Sequence, residues 1–188
     1  MKIVLASQSP RRQHLLRAAG FNLEIHPADF AEIGGSAKDA GEVVAFNSRG
    51  KCLEVVQRVG DEVPVLGADT VVVIDGMIIG KPKDADDAKR TLHRLSDRGH
   101  EVLTGITIAY RGRVLTKVAV TRVFFKKLSD GEIDDYVATG EPLDKAGSYG
   151  IQDGAGFMID HFEGNHDNVV GLDMQTVFVM LEELRVED

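Results

Sequence analysis

The chain has 188 residues, 43% of them apolar and 28% charged, enough apolar material for a core in one domain or in two closely packed lobes. Its formal net charge of −8 excludes nucleic acid and anionic membranes as general partners, but not a small anion held by a local basic cluster. The one cysteine, Cys52, rules out an intramolecular disulfide and a cysteine zinc cage.

The apolar run in MKIVLASQSP is too short for a signal peptide, and no stretch nears the ~18 apolar residues of a membrane span, so a cytoplasmic protein is expected. Ile3 to Ala6 reads as a short strand. Ser9 caps the helix that follows, Pro10 takes its first position, Leu15, Leu16 and Ala19 supply its apolar side, and Gly20 ends it. Phe21 to Ile25 alternates as a strand does, and Gly34 to Gly41 reads as a loop. A helix over Glu42 to Val59 carries Val43, Val44, Phe46, Leu53, Val55 and Val56 as its apolar positions, and Gly50 weakens it by about 1 kcal/mol.

Val63 to Ile74 and Met77 to Ile79 form a hairpin about Asp75-Gly76. Asp84 caps a helix to Leu95. Val102 to Tyr110 and Val114 to Phe125 form a second hairpin about Arg111 to Arg113. Ser129 and Glu132 have capping-box spacing for a helix to Ala138. Lys145 to Gly156 is a glycine-rich ordered loop, Phe157 to Phe162 a strand, and Asp173 caps a last helix to Leu184. Hairpins among alternating strands and helices predict an α/β fold with a mixed sheet.

Four constellations carry chemistry. In Ser7-Gln8-Ser9-Pro10-Arg11-Arg12, two arginines stand at a helix N-terminus, the wrong end for cations. An anion at the turn reverses that sign and gains backbone, hydroxyl and guanidinium donors. Two solvated arginines beside an ordinary cap are the alternative. The glycine-rich triphosphate loop GxxxxGK[ST] is absent. In Gly67-Ala68-Asp69-Thr70, a carboxylate interrupts the apolar run Val65 to Ile74, which is costly unless it is paired, hydrogen-bonded or on a metal. Asp69 reads as a general base or metal ligand, or else as a bulge or strand-end residue bonded to backbone. Lys51, Lys81 and Glu32 each read alone as solvated charges, and matter only if they converge. In Asp144 to Gln152 the glycines permit close backbone approach, and Gln152 offers a donor and an acceptor suited to a base edge. The six histidines are scattered; His161 and His166 lack an HExxH pattern, and no G-x-S-x-G elbow supports a serine hydrolase.

Taken together, LASQSPRR at 5–12, LGADTVV at 66–72, GKP at 80–82, HEVLTG at 100–105, YVATGEPLDKAGSYGIQ at 136–152 and NVVGL at 168–172 resemble the Maf family of nucleotide pyrophosphatases over essentially the whole chain. The resemblance implies one domain over 1–188, with an elongated mixed β-sheet flanked by helices and a cleft between two lobes, as in Maf and ITPase-like proteins. It implies hydrolysis of nucleoside triphosphates to the monophosphate and pyrophosphate with a divalent cation, Mg²⁺ or Mn²⁺. Ser7, Arg11 and Arg12 match the phosphate-binding turn, Lys51 the helix lysine and Lys81 the lysine of GKP. Asp69 matches the proton acceptor, with Thr70 beside it, and Glu32 the second acid on the metal. Gln152 matches the subgroup acting on dTTP and UTP. Two departures stand out: Ser48-Arg49-Gly50 before Lys51, and Asp173 where the family has proline.

The rival readings are the subgroup acting on 7-methyl-GTP and a non-catalytic nucleotide-binding regulator of cell division. Asp69 and Glu32 favour the enzyme, since a binder of polyanions gains little from acids. A single-stranded RNA binder lacks its basic, aromatic-laced stripe, with 6% aromatics and no Trp. The expected partner is the nucleoside triphosphate, with no nucleic acid or membrane, and a homodimer is the assembly considered.

Overall fold

The computed structural model describes residues 1–34, 39–151 and 154–186. Its strands are β1 (Lys2–Leu5), β2 (Asn22–Ile25), β3 (Val65–Ile74), β4 (Met77–Ile79), β5 (Gly99–Tyr110), β6 (Arg113–Phe125) and β7 (Ile159–Glu163). Its α-helices are α1 (Pro10–Ala18), α2 (Ala40–Val59), α3 (Ala85–Leu95), α4 (Asp130–Ala138), α5 (His166–Val170) and α6 (Met174–Leu184). The strands form one mixed seven-stranded sheet in the order β2-β1-β3-β5-β6-β7, with β4 pairing β3. β1 runs parallel to both β2 and β3; β4 and β7 are antiparallel to β3 and β6. Among the described residues no helix is long and apolar enough to cross a membrane.

Local chemistry explains where the elements start and turn. Ser9 accepts from Arg12 N at the head of α1, Asp84 from Asp87 N at α3, and Asp173 from Thr176 N at α6. Ser129 and Glu132 form a reciprocal capping box on α4. Both hairpins turn through two residues with positive φ, Asp75 (54°) with Gly76 (68°) and Arg111 (47°) with Gly112 (75°), the signs that a tight hairpin turn requires.

The chain divides into two compact units. The first comprises Met1–Thr70, Thr104–Ala119 and Gly171–Asp188; the second comprises Val71–Leu103 and Val120–Val170. In the first, Val4, Ala6, Cys52, Val55, Val65 and Ala109 form a core cluster. The Cys52 thiol is fully buried, donates to Val65 O at 3.2 Å, and is pushed up to about 12 by burial. The second unit packs α3 and α4 on a larger cluster that includes Leu92, Leu95, Val123, Ile133 and Met158. Within it His100 is buried, edge-on to Phe125 and Tyr149, and its Nε2 lies 2.7 Å from the Tyr149 hydroxyl. Burial lowers the His100 pKa to about 4, so the ring stays neutral there at neutral pH.

Several expectations change. α2 begins at Ala40 rather than Glu42, capped by Asp39, and β5 begins at Gly99 rather than Val102. Phe157 is not in a strand: a 3-10 turn over Ala155–Met158 takes it, and β7 starts at Ile159. Two further 3-10 turns occur, Glu141–Asp144 just before the glycine-rich loop and Ala146–Ser148 within it. The helix His166–Val170 carries no periodic apolar signal long enough to read.

Phe46 is 51% exposed although the sequence reads it as an apolar position of α2. The buried residues of α2 are Val43, Val44, Asn47, Ser48, Cys52 and Val55, so two polar residues lie where a hydrophobic pattern expects apolar ones. The reason is a close approach. A Cβ on Gly67 of β3 would stand 2.4 Å from Ser48 O and 2.7 Å from Cys52 N, and one on Gly105 of β5 would stand 2.1 Å from Val44 O. The two glycines let the backbone of α2 rest on the sheet, and Ser48 then satisfies its hydroxyl on Ala45 O and Thr107 Oγ1 at 3.0 Å each. At Gly50 a Cβ would meet the tip of the half-buried Phe30 ring at 2.1 Å, so a larger residue there would have to turn that ring aside.

Gly105→Ala forces backbone against backbone and is expected to cost about 3 kcal/mol in urea unfolding. Gly131→Ala, in α4 with nothing within 4 Å, is expected to be neutral or to stabilise by up to about 1 kcal/mol. Equal effects at the two sites would contradict the close approach.

Candidate active site

Six of the residues singled out in the sequence meet in the first unit. Parallel pairing of β1 with β3, together with Ala6 N donating to Leu66 O at 2.8 Å, sets the Ser7–Ser9 turn beside the middle of β3. There Ser7 Oγ accepts from Ser9 N at 3.2 Å and from Arg12 Nη1 at 3.2 Å. Arg12 also donates through Nη1 to Ala68 O at 3.0 Å, through Nη2 to Thr70 Oγ1 at 3.0 Å, and through Nε to Gly171 O at 2.9 Å. Four of the five guanidinium N–H donors thus meet acceptors among the described residues. Burial lowers the Arg12 pKa, and the charge of Asp69 opposes that shift. Thr70 closes the ring, 3.0 Å from Thr104 Oγ1 and 3.3 Å from Gly171 O.

Asp69 lies inside β3 and is 7% exposed. It is not a strand end, and its side-chain partners come from α2. Lys51 Nζ donates to its Oδ1 at 2.7 Å, and Asn47 Nδ2 to its Oδ2 at 2.9 Å. The same Lys51 ammonium lies 2.7 Å from Glu32 Oε1 and 3.4 Å from Ala68 O. Two carboxylates from separate segments therefore converge on one cation, with the Arg12-braced turn beside the strand that carries Asp69. Glu32 is 55% exposed at its side chain against 10% for Asp69, so Glu32 is the acid free to rotate.

Arg11 lies one residue before Arg12 on α1, half-buried. Lys81 belongs to the second unit, exposed between β4 and α3. Gln152 lies outside the described residues. Asn47 is a site residue that the sequence reading did not find. Its signal is faint: an amide four residues before Lys51, hence on the same helix face.

The donor chemistry fits a hard divalent cation in one particular mode. Among the described residues no group of three or more His, Cys, Asp or Glu could hold a metal. Glu32 and Asp69 could supply at most two carboxylates, and Mg²⁺ typically takes one or two carboxylates with the remainder from water and substrate phosphate.

The sequence profile of the Maf-like proteins matches residues 2–184. The chain is 44% identical over 190 residues to the dTTP/UTP pyrophosphatase of Chromobacterium violaceum, covering 99% of this chain and 96% of that protein. It is 48% identical over 172 residues to the dTTP/UTP pyrophosphatase of Citrifermentans bemidjiense, covering 90% and 89%. Among solved structures it resembles the Staphylococcus aureus Ham1 protein, with a TM-score of 0.56 and 12% identity over 98% of this chain and 100% of that one. That likeness concerns the fold, which agrees with the mixed α/β architecture expected from the sequence.

Lys51→Met keeps the length of the side chain and removes the shared cation. Asp69 is nearly buried, so the loss of its charge partner is expected to cost about 3 kcal/mol in urea unfolding. Glu32→Gln, at an exposed carboxylate, is expected to cost less than about 1 kcal/mol. A small effect at Lys51 would mean that Asp69 does not depend on this pair.

Proposed function

The chain belongs to the Maf-like family, and from that membership we propose that it hydrolyses dTTP and UTP to the nucleoside monophosphate and pyrophosphate. The observation that carries the mechanism is the convergence of Glu32 and Asp69 on Lys51, 2.7 Å from each, beside a helix N-terminus lined by arginines. With such a substrate the protein works where nucleoside triphosphates are made and used, in the cytoplasm, and the whole of 1–188 acts as one domain.

Glu32 and Asp69 would hold Mg²⁺ or Mn²⁺, which when bound neutralises phosphate charge and polarises the phosphoryl oxygens. Asp69 accepts the proton of a water that attacks the α-phosphorus. The α-phosphorus gains the hydroxyl, the bond to the bridging α–β oxygen breaks, and the electron pair leaves with pyrophosphate. A carboxylate has about four lone-pair positions, so its contacts with Lys51 and Asn47 leave room for the water. Ser7 and Arg11, at the positive end of α1, bind the phosphates. Arg12, held by four acceptors, contributes a fixed charge behind them and keeps the turn rigid. Lys51 and Lys81 offset the charge that develops on pyrophosphate. Thr70 and Gln152 read the base.

With dTTP or UTP, pyrophosphate is expected in one-to-one ratio with the monophosphate, measured in a preparation free of inorganic pyrophosphatase. Stoichiometric orthophosphate would refute the reading. Asp69→Asn keeps an acceptor for Lys51 and so retains the fold, while kcat falls roughly 10²- to 10⁴-fold; near wild-type rates would remove Asp69 from the mechanism.

Base preference has a separate test. Gln152→Glu replaces a group that donates and accepts with one that only accepts, against a pyrimidine edge of two carbonyls around one N–H. A roughly 5- to 150-fold fall in kcat/KM for dTTP and UTP is expected, larger than for CTP or GTP. An equal fall for all four nucleotides would show that Gln152 does not read the base.

A further inference from the structure

We propose that Asn47 is a positioning residue of this site, and that its side-chain amide ties the Asp69 carboxylate and the segment bearing Glu32 to one point on α2. Asn47 is 2% exposed and makes three hydrogen bonds. Its Oδ1 accepts from Ile33 N at 2.9 Å, and its Nδ2 donates to Ile33 O at 3.1 Å and to Asp69 Oδ2 at 2.9 Å. Both N–H groups and the carbonyl are thus engaged, three of the four hydrogen bonds that a primary amide can make.

The partners determine how the amide faces. The Ile33 N–H needs an acceptor, so the carbonyl turns toward it and the amino group turns toward Ile33 O and Asp69. The reverse orientation would set oxygen against a carboxylate and a carbonyl, and an amino group against an N–H. Ile33, the residue after Glu32, therefore dictates which end of Asn47 meets Asp69. Lys51 stands four residues on along the same face of α2 and holds the other Asp69 oxygen and Glu32 itself. Asp69 and the segment bearing Glu32 are thus joined twice, by charge through Lys51 and by a neutral amide through Asn47, which holds the Ile33 backbone rather than the Glu32 carboxylate. The amide link survives when Lys51 turns to a phosphate, so it keeps the Asp69 plane fixed while the ammonium is engaged elsewhere. Neither the segment resemblances nor the apolar periodicity of α2 points to this residue.

The catalytic part of this inference rests on the pyrophosphatase reading, and the experiment separates the two. Asn47→Asp keeps the size and the acceptor for Ile33 N–H, but sets an oxygen against Ile33 O and Asp69. Asn47→Ala removes all three bonds. Ser48→Ala, at a fully buried neighbour bonded away from the site, controls for helix damage. Each variant is assayed for pyrophosphate release from dTTP as kcat and KM, for its melting temperature, and for hydrogen exchange at the Ile33 amide by NMR.

Asn47→Asp is expected to lower kcat about 10- to 100-fold with little change in KM, and with the Ile33 amide still protected. Asn47→Ala is expected to lower kcat and to expose the Ile33 amide as well. Ser48→Ala is expected to melt earlier with kcat unchanged. A folded Asn47→Asp enzyme with wild-type kcat overturns the positioning of Asp69, as does a Ser48→Ala enzyme that loses kcat equally. Unchanged Ile33 protection in Asn47→Ala overturns the tie to the Glu32 segment whatever the activity. A wild-type protein that releases no pyrophosphate from any triphosphate refutes the functional reading instead, and the Ile33 comparison still decides the tie.

Discussion

Contact between the backbone of one helix and the backbone of the sheet is the constraint on which the first unit depends. α2 rests on β3 and β5 where Gly67 and Gly105 have no side chains to hold it away. Interior packing transmits small displacements rather than absorbing them. A helix raised by one methyl group would lift Asn47 and Lys51 from Asp69 by a comparable distance, and hydrogen bonds of 2.7 and 2.9 Å do not survive such a shift. The chemistry at Asp69 is therefore set by two residues that have none.

The electrostatics follow from the same placement. A protein of net charge −8 is a poor general surface for a triphosphate, so attraction must be local. In the proposed site, Arg12 and Lys51 gather around a strand that carries a single acid. Arg12 is held in a half-buried position by carbonyls, hydroxyls and the field of Asp69, and Lys51 is held between two carboxylates. An isolated buried carboxylate would be costly, and the same carboxylate with an ammonium and an amide is satisfied. The partly exposed Glu32 and the enclosed Asp69 differ in freedom, which suits one to follow a ligand and the other to keep its direction.

How much of this was legible follows from the range of the forces involved. Caps and turns are local chemistry, and Ser9, Asp84, Ser129 with Glu132, Asp173 and the Asp75-Gly76 turn stand where the sequence indicates. The oddity of Asp69 in an apolar run was also readable, because burial of a charge demands a partner wherever the partner comes from. The identity of that partner was not, since Lys51 and Asn47 reach Asp69 only through the fold. Hydrophobic periodicity misled at Phe46 because the face of α2 nearest the sheet is occupied by Asn47 and Ser48, whose polar groups find partners across elements. Glycine in a strand marks a close approach in general, but sequence alone does not say what approaches. The shift of β7 to Ile159 has a similar origin, for Met158 O is taken by Lys126 N and the preceding residues close a turn.

The burial of Cys52 has a practical corollary. Its sulfur is enclosed beneath α2, bonded to a carbonyl and held almost wholly as the thiol at neutral pH, so neither alkylating reagents nor mild oxidants find a nucleophile there. The folded chain is in effect free of reactive thiol without any cysteine having been removed. A cysteine introduced at a solvent-facing position would be the sole group to take a maleimide dye or a spin label, which opens the protein to distance measurements in solution with its native core left as it is.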